Sequence, residues 1–431
     1  MKWVARDYAG WGRALRARGE VARPETRAEI LAEGPAPAFG MRRSYGDAAL
    51  NSGGRALDMS RLDAFLEFDA ETGVLHVEAG ARIGEIAAAF APRGWMPAVM
   101  PGTGFATVGG CIGQDIHGKN HHHAGTFCAH LTEITLLQAG GVVTATPGTA
   151  LFRATAGGLG QTGTILSARL RLKPCAGDVM IVTERRAPDW ASHLAMLDAS
   201  QASYTVGWID ATATGAALGR GIVEEGENGR GLARGGTGRL TVPLEAPQFA
   251  LAKPVVRAFN EAYFRRVPAR GRTVVRPMEV FFFPLDKILD WNRLYGRRGF
   301  HQFQCVVPLG AAGALKGMLE EIAGAGLASP LAVLKRMGPG RAGYLSFPME
   351  GYTLAIDFPN RDAARALIKR LEARTAEAGG RLYFAKDSLA EGAQIRAMYP
   401  ELADWQAEVA RADPEGRLTT DLVRRLHLRT A

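Results

Sequence analysis

Residues 101–125 read PGTGFATVGGCIGQDIHGKNHHHAG, and this stretch decides the fold. Gly102, Gly104, Gly109 and Gly110 remove Cβ atoms from a turn-rich run, so main-chain N–H groups can approach an anion closely. A pyrophosphate is the anion that most often needs so long a concave stretch of backbone. Upstream, a second loop, Gly40-Met41-Arg42-Arg43-Ser44-Tyr45-Gly46-Asp47, lies between apolar segments. Two glycine-containing phosphate loops before residue 125 point to one dinucleotide held between them.

A Rossmann reading of these glycines fails. No G-x-G-x-x-G sits between a strand and a helix with an acidic residue about 20 positions later. Gly158-Leu159-Gly160-Gln161-Thr162-Gly163 spells the string, but the segment after it, Ile165 to Leu172, has the pattern of a strand. His117 and His121 are spaced i, i+4, with His122 and His123 next to them. A helix carrying both would place Gly118 in its interior, so no metal is expected and His117 reads as structural or substrate-facing.

Outward from the loops the pattern is many short strands. Ala56 to Met59, Phe65 to Phe68 and Val74 to Ala79 precede a helix from Ile83 to Phe90 that sets Ile83, Ile86, Ala87 and Phe90 on one side. Leu131 to Leu137 alternates, and Ala139-Gly140-Gly141 closes a hairpin into Val142-Val143-Thr144. Further strands are expected at Gln302 to Val307, Tyr352 to Phe358 and Leu382 to Ala385. An amphipathic helix is expected from Arg361 to Glu377, and a capping box of Ser388 and Glu391 before the next helix. The Gly/Arg-rich run 224–241 reads as mobile. Residues 248–266 are apolar, basic and aromatic, interrupted by Pro254, and either pack on their own domain or lie against lipid. The arrangement is α+β rather than a regular βαβ alternation.

A chain of 431 residues exceeds one ordinary core, so more than one domain is expected. Hydrophobic content of 47% and charged content of 22% fit a globular protein and exclude disorder. A net charge of +9 and a pI near 9.6 favour anionic partners. No zinc finger, RNP motif or basic heptad helix is present, so nucleic acid is not an expected partner. Cys111, Cys128, Cys175 and Cys305 are scattered, which suits a reducing compartment. No apolar leader and no run near the roughly 20 residues of a spanning helix is seen, so the expected location is cytoplasmic, with peripheral contact at the inner face of the plasma membrane.

The runs RRSYGD (42–47), PGT…TVGG…DIHGKNHHHAGTF (101–127) and GGLGQTGTI (157–165) resemble the vanillyl-alcohol-oxidase/p-cresol-methylhydroxylase class of FAD enzymes. Within that class the chain is similar to the decaprenylphosphoryl-β-D-ribose 2′-oxidases, the flavoprotein half of a 2′-epimerase. The likeness continues through FFFPLDKILDWNRLYG (281–296), GFHQFQCVVP (299–308), VLKRMG (333–338), LSFPMEGYTLAIDFP (345–359), GGRLYFAKDS (379–388) and ADPEGRLTTDLVRRLHL (412–428).

The resemblance implies a PCMH-type two-subdomain FAD-binding domain over residues 1–176, an inserted antiparallel-sheet substrate domain over 177–380, and a return segment, 381–431, completing the FAD domain. It implies FAD held by Gly40, Arg42, Arg43, Ser44, Tyr45, Gly46 and Asp47 of the first loop. From the second it implies Pro101, Gly102, Thr103, Thr107, Gly109, Gly110, His117, Gly118, Lys119 and Asn120, joined by Gly157, Gly160, Gly163 and Ile165. Many relatives attach the flavin to a first-loop histidine; this loop has none, so non-covalent FAD is expected. Lys386, Tyr383, Tyr45 and His117 are the implied catalytic residues. Gln302, Gln304, Lys335, Thr353, Ala355 and Lys386 are the implied substrate contacts. Ala355 stands where mycobacterial members carry a cysteine, Thr353 where an asparagine is usual, and Phe282-Phe283 where a Tyr-His pair is usual.

The implied reaction is oxidation of the 2′-hydroxyl of a polyprenyl-phosphoryl ribose to the 2′-keto sugar, in cell-envelope arabinan synthesis. A short-chain dehydrogenase/reductase partner would complete the epimerisation. Two alternatives stay open: a soluble sugar, alditol or aldonolactone oxidase using oxygen, and a basic binding protein whose glycines only form loops.

Overall fold

The computed structural model describes residues 1–233 and 238–429. They form a mixed α/β architecture around three main sheets. The first has four strands in the order Val4–Ala9, Arg16–Ala22, Arg55–Asp58, Ala38–Phe39. The second runs Phe65–Asp69, Val74–Glu78, Thr164–Pro174, Leu131–Gln138, Gly141–Ala145, with Trp95–Pro97 also pairing to Thr164–Pro174. Its pairings are antiparallel. Period-two alternation explains it locally: Leu75 and Val77 are fully buried while Val74, His76 and Glu78 are half-exposed. Gly141, at φ 114, turns the hairpin that the sequence places there.

The third sheet is antiparallel and eight-stranded, in the order Arg272–Pro277, Val179–Ala187, Gly221–Gly229, Tyr204–Ile209, Ala332–Met337, Gly351–Pro359, Phe300–Val307, Arg381–Leu382. One face is dry. Phe303, Cys305, Leu334, Leu354, Ile356 and Phe358 share a core with Leu315, Met318 and Ile322 of the helix Ala312–Ala325, and with Leu367 and Leu371 of Asp362–Glu377. Alternation therefore turns Gln302, Gln304, Lys335, Thr353, Ala355 and Asp357 to the opposite face. That face, looking toward the glycine loops, is where the site lies.

Four expectations are corrected. Residues 224–229 of the Gly/Arg run expected to be mobile belong to the strand Gly221–Gly229, which pairs with strands on both sides; residues 234–237 of that run lie outside the described residues. The last strand stops at Leu382, and Tyr383 to Lys386 form a turn closed by Lys386 N–H donating to the Tyr383 carbonyl at 2.9 Å. There is no Ser388/Glu391 capping box. Glu391 is itself the N-cap of Gly392–Met398 and its carboxylate meets Lys369, while Ser388 Oγ bonds His301 Nδ1 at 2.7 Å. Pro254 starts a helix rather than interrupting one, since the first helical turn needs no N–H from it. That helix, Lys253–Arg265, buries Val256 and Asn260 and leaves Val255 and Phe259 exposed. Among the described residues no helix is long and apolar enough to cross a membrane.

Candidate active site

Strand register builds the floor of the site. Gln304 lies opposite Ala355, Gln302 opposite Asp357, and Lys335 opposite Thr353. Opposed residues of antiparallel strands share a face, so amides, a hydroxyl, a carboxyl and an amine are gathered without any loop. Gln304 Nε2 is 3.3 Å from Thr353 Oγ1 and 3.3 Å from His117 Nε2. With the amide donating to Nε2, the imidazole proton sits on Nδ1, which is buried and has no partner. Gln302 Nε2 donates to Asp357 Oδ1, so this amide is already half committed within the protein.

The wall comes from the 383–387 turn and the first glycine loop, which are tied together. Tyr45 N–H donates to the Ala385 carbonyl at 2.8 Å. A Cβ on Gly46 would stand 1.8 Å from the Asp387 carbonyl oxygen, so only glycine lets these backbones touch. Lys386 Nζ lies 3.5 Å from the centroid of the Tyr45 ring, a close cation–π contact. Tyr383 stacks on Phe347 at 4.6 Å, and both rings flank the His117 imidazole, at 5.2 and 5.5 Å.

The electrostatics are those of a site short of anions. Burial pushes the Lys386 amine down to about 7, the nearby Asp357 opposing and Lys335 reinforcing the shift. Lys335 also falls to about 7, from burial and then the charge of Lys119. Lys119 falls less, to about 8, because Glu224 supports its charge. Burial, with Lys335, His121 and Lys386 close by, holds His117 well below the usual imidazole range. Lys119 is anchored: Nζ donates to the Phe281 carbonyl at 2.6 Å and lies 3.9 Å from Glu224. His121 accepts from Gly338 N–H at Nδ1 and bonds the Gly340 carbonyl through Nε2, so both its nitrogens are engaged.

The two long glycine loops meet each other. A Cβ on Gly40 would be 2.2 Å from Thr107 Oγ1, and Thr107 caps the short helix after it through Gly110 N–H. Arg43 is sandwiched between the rings of Trp11, 4.0 Å away, and Phe105, 4.4 Å away. Arg42 is exposed with φ 49, and the Ser44 carbonyl accepts from Trp11 N–H at 2.7 Å. Asp47 is buried against Arg425. In the second loop Pro101 is buried, and Thr103 Oγ1 and Gly104 N–H both donate to Asp286 at 2.7 Å. Gly109 packs on Ala79, Gly118 on Met100 and the Asn120 amide, Gly157 on Asp115 and Ser346, and Gly163 on the Leu137 carbonyl. Gly102 and Gly160 differ, since a Cβ at either would meet nothing within 4 Å. Ile165 is buried in the core of the second sheet.

Residues 33–146 match the FAD binding domain family. Over 413 residues, 91% of this chain and 89% of the relative, the sequence is 37% identical to decaprenylphosphoryl-β-D-ribose oxidase of Mycolicibacterium smegmatis. The chain belongs to the decaprenylphosphoryl-β-D-ribose oxidase family. An uncharacterised protein in the mprA 5′ region of Streptomyces coelicolor is 36% identical over 360 residues, 78% of this chain and 97% of that one. As a member of the family the protein is an FAD-dependent oxidoreductase.

The residues fit that cofactor. Each glycine loop carries buried polar atoms that the protein leaves unpartnered: Arg43 Nε in the first, His117 Nδ1 and Asn120 Oδ1 in the second, Gln161 Oε1 in the third. Such atoms cost about 1–3 kcal/mol each unless something bonds them. A ligand with a diphosphate, hydroxyls and ring carbonyls offers matching groups along the same path.

Several residues here went unnoticed in the sequence. Asp286 orders the 103–104 turn. Asp115, fully buried, accepts from Cys128 N–H, Ala342 N–H and Ser346 Oγ, locking the second loop to residues 342–346. Asp357 sits in a quoted run, yet only the register shows its place. Arg425 bonds Asp47 and Asp387 together, and nothing local in the sequence signals it.

Proposed function

We propose that this protein oxidises the 2′-hydroxyl of a polyprenyl-phosphoryl ribose, or a related lipid-linked pentose, to the 2′-keto sugar. The observation that supports this reading is the pair of half-buried lysines, Lys335 and Lys386, grouped with Gln304, Thr353 and His117. Amides and a hydroxyl suit sugar hydroxyls, the under-compensated Lys335 amine suits a phosphate diester, and a second amine, Lys386, is left to take a proton. The extent of the likeness to the mycobacterial oxidase supports the same substrate class.

FAD would be held non-covalently by the 40–47 and 101–120 loops and by Gly157 to Gly163, with Arg43, His117, Asn120 and Gln161 meeting it through the atoms named above. When bound, it supplies the two-electron acceptor for the hydride that leaves the carbinol carbon. Lys386 Nζ, with an amine near 7, takes the hydroxyl proton in its neutral form and then carries positive charge beside the reacting centre. His117, kept neutral, and Gln304 orient the sugar. Tyr45 and Tyr383 wall the centre from water. Lys335 holds the phosphate.

In domain terms, we read residues 1–176 as the two-subdomain PCMH-type unit, 177–380 as the substrate unit and 381–431 as its return. The first two sheets lie within 1–176 and the third begins at Val179, its last strand being Arg381–Leu382; the tail packs on the core of that third sheet and also bonds back to the first unit through Ser52–Asp421 and Gln161–Leu418. The keto product calls for a nicotinamide-type reductase partner to finish an epimerisation. The exposed Leu240, Leu244, Phe249, Val255 and Phe259, set among exposed Lys253, Arg257 and Arg265, fit contact with an anionic bilayer that carries the lipid substrate. Phe249→Ser with Phe259→Ser is expected to weaken co-sedimentation with phosphatidylglycerol vesicles while free-enzyme flavin content is unchanged. Equal co-sedimentation argues against the contact.

Anaerobic bleaching of the flavin is the test of substrate. Polyprenyl-phosphoryl ribose should bleach it and free polyols should not; bleaching by the free polyols alone overturns the assignment. The lysines add a sign. A phosphate ligand favours the charged form of Lys335, so binding above pH 7 must restore a proton to that amine, while Lys386 stays neutral to act as the base. The Kd for the lipid-linked sugar should therefore rise above pH 7, by up to about tenfold per pH unit. Lys335→Gln should lower that slope by one proton; an unchanged slope counts against Lys335 as the phosphate ligand.

A further inference from the structure

Asp357 is fully buried, on the strand Gly351–Pro359, with no role in the chemistry described so far. Its carboxyl meets two neutral donors, the Gln302 amide at Oδ1 and the Tyr295 hydroxyl 3.1 Å from Oδ2. Tyr295 also reaches Ser329 Oγ, at 2.9 Å, and stacks on Phe300 at 4.0 Å. Phe300 in turn meets the Tyr45 ring edge-on at 5.3 Å. A carboxyl walled by aromatic rings and given only neutral partners is costly to ionise unless a cation acts on it.

Lys386, beyond ion-pair distance, is the cation whose charge favours the carboxylate, and Asp357 is the anion that favours the Lys386 ammonium. A chain of contacts joins them: Nζ lies over the Tyr45 ring, Tyr45 meets Phe300, Phe300 stacks on Tyr295, and the Tyr295 hydroxyl reaches the carboxyl. The other groups facing Nζ pull the opposite way: Lys335 from the adjoining strand, with Lys119 behind it, is a like charge. His117 is neutral, and Tyr383 and Tyr45 keep their protons because burial raises them. Asp387, next in sequence, is bonded to Arg425.

We propose that Asp357 is a positioning residue that holds the Lys386 ammonium over the Tyr45 face and so determines when Nζ releases its proton. Gln302, bonded to the carboxyl, then helps to hold Asp357 in place and is not only a sugar contact. The carboxyl itself lies near 7, raised by burial and drawn back by Gln302, Lys386 and Tyr295, so the two groups titrate as a pair. This rests on Lys386 being the reactive amine of the proposed function, but its test needs no substrate.

Neutral amines acylate and ammonium groups do not. Pulse acetylation of the FAD-loaded protein across pH, with the Lys386 peptide quantified by mass spectrometry, gives the midpoint of that amine. Asp357→Asn should lower the midpoint by about one pH unit or more, the size expected when an opposing charge within reach is removed. Tyr295→Phe, which weakens the carboxylate form of Asp357, should move it the same way by less, and Asp357→Glu should restore most of it. The pH profile of flavin reduction should shift in step wherever a substrate is in hand. An unmoved midpoint in folded Asp357→Asn overturns the proposal, and if that variant does not fold, an unmoved midpoint in Tyr295→Phe does so. A failure of the lipid-linked substrate assignment leaves these midpoints unaffected, so the two can be told apart.

Discussion

Lys386→Met is expected to slow flavin reduction by the lipid-linked sugar by roughly 10²–10³-fold, the range found when one preorganised charge-stabilising group is removed from a reacting centre. The amine stands on the 383–387 turn, against the Tyr45 face, with its charge opposed by Lys335 and supported by Asp357. Methionine keeps the stem and its packing, so FAD content and melting temperature should stay near those of the parent. Stopped-flow bleaching, read with the flavin-to-protein ratio, separates the two effects. A parental rate removes Lys386 from the chemistry. Loss of flavin without loss of rate per bound flavin recasts it as a cofactor anchor.

The largest stability effect is expected at Arg425. Its guanidinium donates to Asp47 through Nε and Nη2, both at 2.8 Å, to Asp387 at 2.8 Å and to the Ala390 carbonyl at 2.7 Å. Asp47 and Asp387 are both almost fully buried. Arg425→Met leaves two buried carboxylates facing each other with no cation between, and breaking a buried pair of this kind costs about 3–5 kcal/mol. Because Asp47 belongs to the first glycine loop and Asp387 follows Lys386, the same change should loosen FAD. The expected result is a lower melting temperature that added FAD only partly restores. Acidification should recover part of the difference, since burial already raises the Asp47 carboxyl and protonation relieves the repulsion. A melting temperature equal to the parent's would mean that the tail is not what ties loop to turn.

What the sequence made legible follows from the range of each physical signal. The floor of the site was readable because period-two alternation is local: once Phe300–Val307 and Gly351–Pro359 are strands, Gln302, Gln304, Thr353 and Ala355 must share faces. The glycine loops were readable because closely approaching backbone excludes Cβ, as at Gly40 and Gly46. The partner was not, for the atoms those glycines meet are chiefly Thr107 and Asp387 of this chain. Arg425 lies 378 residues from Asp47, and no periodicity spans that gap. Asp357 looks like any polar residue of an alternating strand until Tyr295 and Lys386 arrive from elsewhere. Residues 383–385 read as strand because their apolar and aromatic side chains suit a sheet edge equally well. The Tyr383 N–H does bond the Gln304 carbonyl, and the chain then turns back on itself.

The claim at the centre is that hydride leaves carbon 2 of a lipid-linked ribose beside Lys386. Anaerobic bleaching with polyprenyl-phosphoryl ribose deuterated at that single carbon measures it directly. A primary isotope effect confined to the carbon 2 label, enlarged in Lys386→Met as chemistry becomes slower, is the expected result. An effect that appears only with deuterium at another ring carbon would contradict it.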